Sequence, residues 1–223
     1  MNFPAILNIL GHVIKYELLL LLIPFAVALF YGQGDASAFL YTILIMLPIS
    51  IILTRVKGKK KEIYAKEGFL TVGLAWIVIS FFGALPFVFN GAIPSFIDAF
   101  FETSSGFTTT GASILTEIQS LPKGILFWRS FTHWVGGMGF LIFILALMPS
   151  FGGNTIHLLK AESPGPTPGK IVPKIKQTAK ILYAIYFVLT VIETIFLKFA
   201  GMSWYDAIIH ALGTAGTGGF SNM

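Results

Sequence analysis

Residues 95–113 read SFIDAFFETSSGFTTTGAS, and residues 203–221 read SWYDAIIHALGTAGTGGFS. The two stretches superpose without a gap at one offset of 108 (203 − 95). Ser95 falls on Ser203, Asp98 on Asp206, Ala99 on Ala207, Thr109 on Thr217, Gly111 on Gly219 and Ser113 on Ser221. Each copy is a short apolar helix followed by a Thr/Gly-rich loop, and each follows a long apolar segment. A helix of that length cannot span a bilayer, which needs about 20 apolar residues. It enters and returns, as a re-entrant pore loop does. Two copies in one chain imply a pore built from quasi-equivalent units.

The rest of the chain suits that reading. Apolar residues make up 55% of the sequence and charged residues 11%, which points to an integral membrane protein. The chain has no cysteine, so disulfides and thiolate metal sites are excluded. Apolar runs lie at Tyr16–Tyr31, Ala38–Leu53, Phe69–Phe89, Leu126–Met148 and Ile181–Ala200, giving five expected crossings. Leu18–Phe30 lacks a small-x-small cleavage site and is read as a retained helix rather than a signal peptide. The expected organisation is a two-helix hairpin over 1–55, a basic loop over 56–68 and a first helix–pore-loop–helix unit over 69–149. A Gly/Pro/Lys-rich connector over 150–180 and an incomplete second unit over 181–223 follow.

Basic residues set the orientation, because cytoplasmic loops are enriched in Lys and Arg. Arg55, Lys57, Lys59, Lys60, Lys61 and Lys66 occupy one loop; Lys160, Lys170, Lys174, Lys176 and Lys180 occupy another. The opposite side holds only Lys123, Arg129 and Lys198. Both basic loops and the N-terminus are then cytoplasmic, and both pore loops face outside. The lysines serve solvation and topology, or else a lipid-headgroup or protein site. No nucleic-acid partner is expected.

Within the repeat, Ser95 with Asp98 and Ser203 with Asp206 resemble capping boxes that start a helix. Such a half-helix puts its negative C-terminal end inside the membrane, where it favours a cation. Irregular backbone at that depth must be buried in protein or line a wet cavity. Gly111 and Gly219 are free to take φ > 0 and turn carbonyls toward an axis. Rings of carbonyls replace an ion's hydration shell, and threonine hydroxyls add ligands. One copy alone reads equally as an ordinary Ser/Thr/Gly turn; two copies at the same place in two hairpins favour the pore loop. The loops differ, with Thr108-Thr-Thr110 in one and Ala215-Gly-Thr-Gly-Gly-Phe220 in the other. That suits a single-chain pore with pseudo-symmetry rather than identical subunits.

Arg129 and His133 are four apart and share a helix face. Arg129 either snorkels or holds a pore-loop backbone, or it acts on passing cations. Glu102, beside the filter turn, either concentrates cations or bonds the turn. Gly136, Gly137 and Gly139 allow close approach to the pore helix. Trp128, Trp134 and Trp204 suit an interfacial belt. His157 and His210 have no metal-ligand company and read as ordinary polar contacts, and Glu193 faces protein or the wet pathway. No nucleophile–base pair, phosphate-cradling loop or paired catalytic carboxylates stand out, so the chain does not read as an enzyme.

Three stretches carry a family resemblance: Ser104-Ser-Gly-Phe-Thr-Thr-Thr-Gly-Ala-Ser113, Trp128-Arg-Ser-Phe-Thr-His-Trp-Val-Gly-Gly-Met-Gly139 and Gly213-Thr-Ala-Gly-Thr-Gly-Gly-Phe-Ser-Asn222. The sequence resembles the Trk/Ktr/HKT superfamily of potassium transporters, most closely its Trk-type bacterial membrane subunit. The resemblance implies an all-α polytopic fold. It has four helix–pore-loop–helix units around a pseudo-four-fold potassium pathway, preceded by an extra helix pair. The chain stops in the second unit, so it would supply two of four filter segments and, alone, would not conduct potassium selectively. The implied filter is Thr109, Thr110, Gly111 and Ala112 with Thr217, Gly218, Gly219 and Phe220. Potassium would meet the backbone of Thr110, Gly111, Gly219 and Phe220. Further implications are the bacterial inner membrane, a homodimer, a cytosolic nucleotide-binding regulatory ring, and no organic cofactor. Two rivals stay open. One is a sodium-selective or sodium-coupled member of the superfamily, which Gly111 disfavours because a serine there accompanies sodium preference. The other is a non-conducting assembly or regulatory subunit.

Overall fold

A computed structural model describes residues 2–56, 65–139 and 172–222, and among these every regular element is a helix. The N-terminal pair is α1 (Phe3–Tyr31) and α2 (Ala36–Thr54), joined by a tight turn. The helix α3 (Ala65–Asn90) leads into the short α4 (Phe96–Phe107) and then α5 (Lys123–Gly137). The second copy repeats the first two of these as α6 (Val172–Phe199) and α7 (Trp204–Ala215).

The helix α1 begins 13 residues before the apolar run that predicts it. The Asn2 side chain accepts from the Ala5 N–H and caps the start. Asn8, a polar residue in the added stretch, donates to the Thr54 and Val56 carbonyls at 2.7 and 3.2 Å. A polar group bonded in this way no longer ends a membrane helix. Gly11 lets α2 come close, since a Cβ there would lie 2.7 Å from the Leu53 Cβ. The helix α6 likewise starts earlier than Ile181, so residues 172–180 of the expected connector are helical.

Among the described residues, four helices are long and apolar enough to cross a membrane: Phe3–Tyr31, Ala36–Thr54, Lys66–Asn90 and Ile181–Phe199. Large apolar side chains point outward along them, among them Leu29, Phe30, Ile52, Phe187 and Phe199. Outward apolar faces on spans of this length make the chain a membrane protein. The expected fourth crossing, Leu126–Met148, is not one unbroken helix. Its described part starts at Lys123 and stops at Gly137, where three glycines in four residues weaken the helix and Gly139 turns left-handed at φ 65°. Residues 140–148 lie outside the described residues.

The core lies where α1, α3, α4 and α5 meet. Phe87, Phe107, Trp128, Ile14 and Ile79 are fully buried there. Trp128 is therefore no belt residue; its Nε1–H donates to the Gly83 carbonyl at 2.8 Å. Trp134 is half-buried and donates to the Thr190 hydroxyl at 3.1 Å, and Trp204 is exposed beside the Lys198 ammonium.

Candidate ion pathway: two paired loops

The two short helices start and end alike. The Ser95 hydroxyl accepts from the Asp98 N–H and the Ser203 hydroxyl from the Asp206 N–H. Both helices are 12 residues long. Beyond them, Thr108 N–H donates to the Ser104 carbonyl at 2.9 Å and Gly216 N–H to the Leu212 carbonyl at 3.1 Å. Thr109 and Thr217 then take φ of 55° and 60°, and Gly111 and Gly219 take 76° and 78°. The sequence offset thus recurs as a backbone offset. The glycine values are those the sequence allows. The threonine values are not, because a β-branched residue rarely adopts positive φ, and two in matching places mark a built conformation.

The loops also touch. A Cβ on Gly111 would fall onto the Gly218 carbonyl oxygen, whereas around Gly219 there is open space. Thr110, Ala112, Thr217 and Gly219 are exposed; Thr109, Gly111 and Gly218 are half-buried; Phe220 is buried. The Thr108 and Thr110 hydroxyls lie 2.8 Å apart.

The helix α5 holds both loops. Gly136 sits against the Phe107 carbonyl, and a Cβ on Gly137 would lie 2.7 Å from the Gly216 Cα. Arg129 Nε donates to Glu102 Oε1 at 2.6 Å, inside the protein. Glu102 also accepts from the Ser113 hydroxyl at 3.0 Å and the Ile114 N–H at 2.9 Å, so it bonds the end of the first loop. Arg129 Nη1 donates to the Ser221 carbonyl at 3.0 Å, and its guanidinium lies 3.7 Å from the centre of the Phe220 ring. The two charges singled out in the sequence are thus each other's partners. His133, one turn on, stacks on Phe220 at 3.7 Å between ring centres and accepts the Phe220 N–H at Nδ1. Spacing put Arg129 and His133 on one face; nothing in the sequence said that this face meets the second loop.

The second loop is tied back to the start of its own helix. Asn222 donates to Asp206 Oδ1 at 2.6 Å, and the Ser203 hydroxyl bonds Oδ2 at 2.5 Å. Ser203 first, then Asn222, holds the Asp206 carboxyl below its ordinary range. His210 bridges the Asp206 carbonyl and the Ser221 hydroxyl at 2.8 and 3.0 Å. Glu193 is half-buried on α6, and His157 lies outside the described residues. Among the described residues no cluster of three His, Cys, Asp or Glu is placed to hold a metal.

Residues 37–223 match the family model described as TrkH, cation transport protein. The chain belongs to the TrkH family. It is 43% identical to the Trk system potassium uptake protein TrkH of Escherichia coli K12, over 99% of this chain and 46% of that protein. It is 32% identical to an uncharacterized cation transporter of Methanocaldococcus jannaschii, over 99% of this chain and 46% of that protein. The crystal structure of the potassium transporter TrkH from Vibrio parahaemolyticus superposes with a TM-score of 0.82 at 36% identity. That match covers 100% of this chain and 45% of the transporter chain. The chain thus spans about half the length of the TrkH relatives it matches. Its family is one of cation transporters, not of enzymes.

Proposed function

We propose that this chain supplies two filter segments, Thr109–Ala112 and Thr217–Phe220, to a potassium-uptake pathway. The observation that carries the reading is the matched backbone. Left-handed residues recur at Thr109 and Thr217 and at Gly111 and Gly219, each at the end of a half-helix, with the two loops in contact. The half-helix ends are negative and favour a cation, and the polypeptide carbonyls of Thr110, Gly111, Gly219 and Phe220 replace its water. The relatives named as potassium uptake proteins support potassium over sodium, as does a glycine at 111.

In this proposal Glu102 and Arg129 position the loops rather than face the ion. The bacterial inner membrane holds the protein, with the N-terminus and both basic loops cytoplasmic. The proposed division of the chain is a hairpin over 1–55, a basic loop over 56–64, one unit over 65–149, a connector over 150–171 and a second unit from Val172, its bounds moved to where α3 and α6 begin. A homodimer and a cytosolic nucleotide-binding ring docked near the inner loops complete the assembly, and lipid headgroups meet the lysines. The test is rubidium uptake into proteoliposomes holding the complete transporter, with sodium as competitor. Gly111→Ser is expected to lower uptake and let sodium compete. Unchanged uptake and selectivity in both Gly111→Ser and Gly219→Ser would remove these loops from the pathway. Cross-linking of the ring to residues 57–61 tests the docking.

A further inference from the structure

The second loop rests on a histidine of the first unit. His133 lies on α5 and its ring is fully buried. Its Nδ1 accepts the Phe220 N–H at 3.3 Å, and its face stacks on the Phe220 ring. A Cβ on Gly218 would run into the same ring, and one on Gly216 into the His133 carbonyl. His133 thus backs the loop from Gly216 to Phe220.

An anchored N–H fixes more than itself. Across a planar trans peptide the N–H and the preceding carbonyl point in opposite directions. The peptide one step earlier shows this. Gly219 N–H donates back to the Gly213 carbonyl of α7 at 3.3 Å, and the Gly218 carbonyl oxygen lies against Gly111 of the first loop. The Phe220 N–H is likewise turned back, to His133, so the Gly219 carbonyl is turned away from α5. Gly219 is exposed, with open space where a side chain would go. A glycine, here at φ 78°, tolerates many backbone conformations, so residue 219 does not itself select the direction of its carbonyl. The hydrogen bond to His133 selects it.

We propose that His133 is a positioning residue of the second filter segment: by holding the Phe220 N–H it turns the Gly219 carbonyl toward the ion pathway. This rests on the filter reading above and adds to it the group that aims one ligand. It is separate from the Arg129 tie, which acts two residues on, at the Ser221 carbonyl.

Two readouts on the complete transporter test it: amide hydrogen exchange at Phe220, and rubidium uptake with sodium as competitor. His133→Phe keeps a flat ring against Phe220 but has no acceptor. His133→Asn keeps an acceptor on a short side chain. In His133→Phe, exchange at Phe220 is expected to speed up and the KM for rubidium to rise, each by about two- to tenfold, the equivalent of one net hydrogen bond. Sodium is then expected to compete, and His133→Asn to recover part of both effects. If His133→Phe does not assemble, His133→Leu replaces it. Unchanged exchange at Phe220 in the variant without an acceptor would overturn the proposal, whatever the loops do. Faster exchange with wild-type KM and selectivity would overturn it as well. In that case, if Gly219→Ser still impairs uptake, only the His133 role falls; if Gly111→Ser and Gly219→Ser are also silent, the filter reading falls with it.

Discussion

Arg129 and Ser221, 92 positions apart, are joined by a hydrogen bond of 3.0 Å from guanidinium to carbonyl. The same guanidinium holds Glu102, which bonds Ser113 and Ile114. One buried ion pair therefore ties together the C-terminal ends of both loops and sets the distance between them. Removing one partner strands the other charge, at a cost of about 3–5 kcal/mol. We expect Arg129→Gln and Glu102→Gln each to lower thermal stability by that order in the purified transporter. Under the proposed filter, rubidium-over-sodium preference should fall with them, because loop spacing would then set the carbonyl cage. A double variant no less stable than either single one is also expected, because no charge is then left alone. Two single variants with wild-type melting and wild-type selectivity would disprove this role.

Gly111 and Gly219 occupy matching places but unequal surroundings. Both need positive φ, which costs an alanine about 1–2 kcal/mol. Only at Gly111 does the added methyl also collide, with the Gly218 carbonyl. Gly111→Ala should therefore impair rubidium uptake and protein yield more than Gly219→Ala. The reverse order would mean that the loops do not touch as described.

The repeat was the most legible part of the chain. Its helix starts at Ser95 and Ser203 could be read because capping is local chemistry carried by a serine and an acid three residues on. The left-handed threonines could not, because propensity argues against them and only the matched fold imposes them. The early start of α1 stayed hidden because the polar residues Asn8, His12 and Lys15 precede the apolar run, and Asn8 finds its partners only at the end of α2 and just beyond it. Trp128 read as interfacial because a sequence shows an indole but not the Gly83 carbonyl that receives it. Arg129 and His133 showed their shared face, and tertiary packing alone supplied its target.

Asp206 makes stability depend on acid. Its carboxyl is held below the ordinary value of 3.8, first by the Ser203 hydroxyl and also by the Asn222 amide. A depressed carboxyl contributes stability that is complete above its unfolded value and is lost as pH falls through the folded one. Acid melting curves should therefore show a loss beginning near pH ~4 in wild type. That loss should be reduced in Asp206→Asn, and in Ser203→Ala it should keep the same onset but be smaller and complete at a higher pH. Superimposable acid profiles for wild type and Asp206→Asn would rule out this tie between the second loop and its helix.

Glycines inside helices usually weaken them, by about 0.5–1 kcal/mol relative to alanine. Gly73 on α3 follows that rule, with open space where a methyl would go. Gly73→Ala should raise the melting temperature slightly. Gly136 on α5 should do the opposite, because its methyl would run into the Phe107 carbonyl at the head of the first loop. Nothing flexible yields there, so α5 must move off α4, carrying Arg129 and His133 away from Phe220. Gly136→Ala is thus expected to lower both melting temperature and ion selectivity while Gly73→Ala leaves selectivity unchanged. Equal and positive stability shifts in the two variants would show that α5 approaches the loops less closely than this geometry requires.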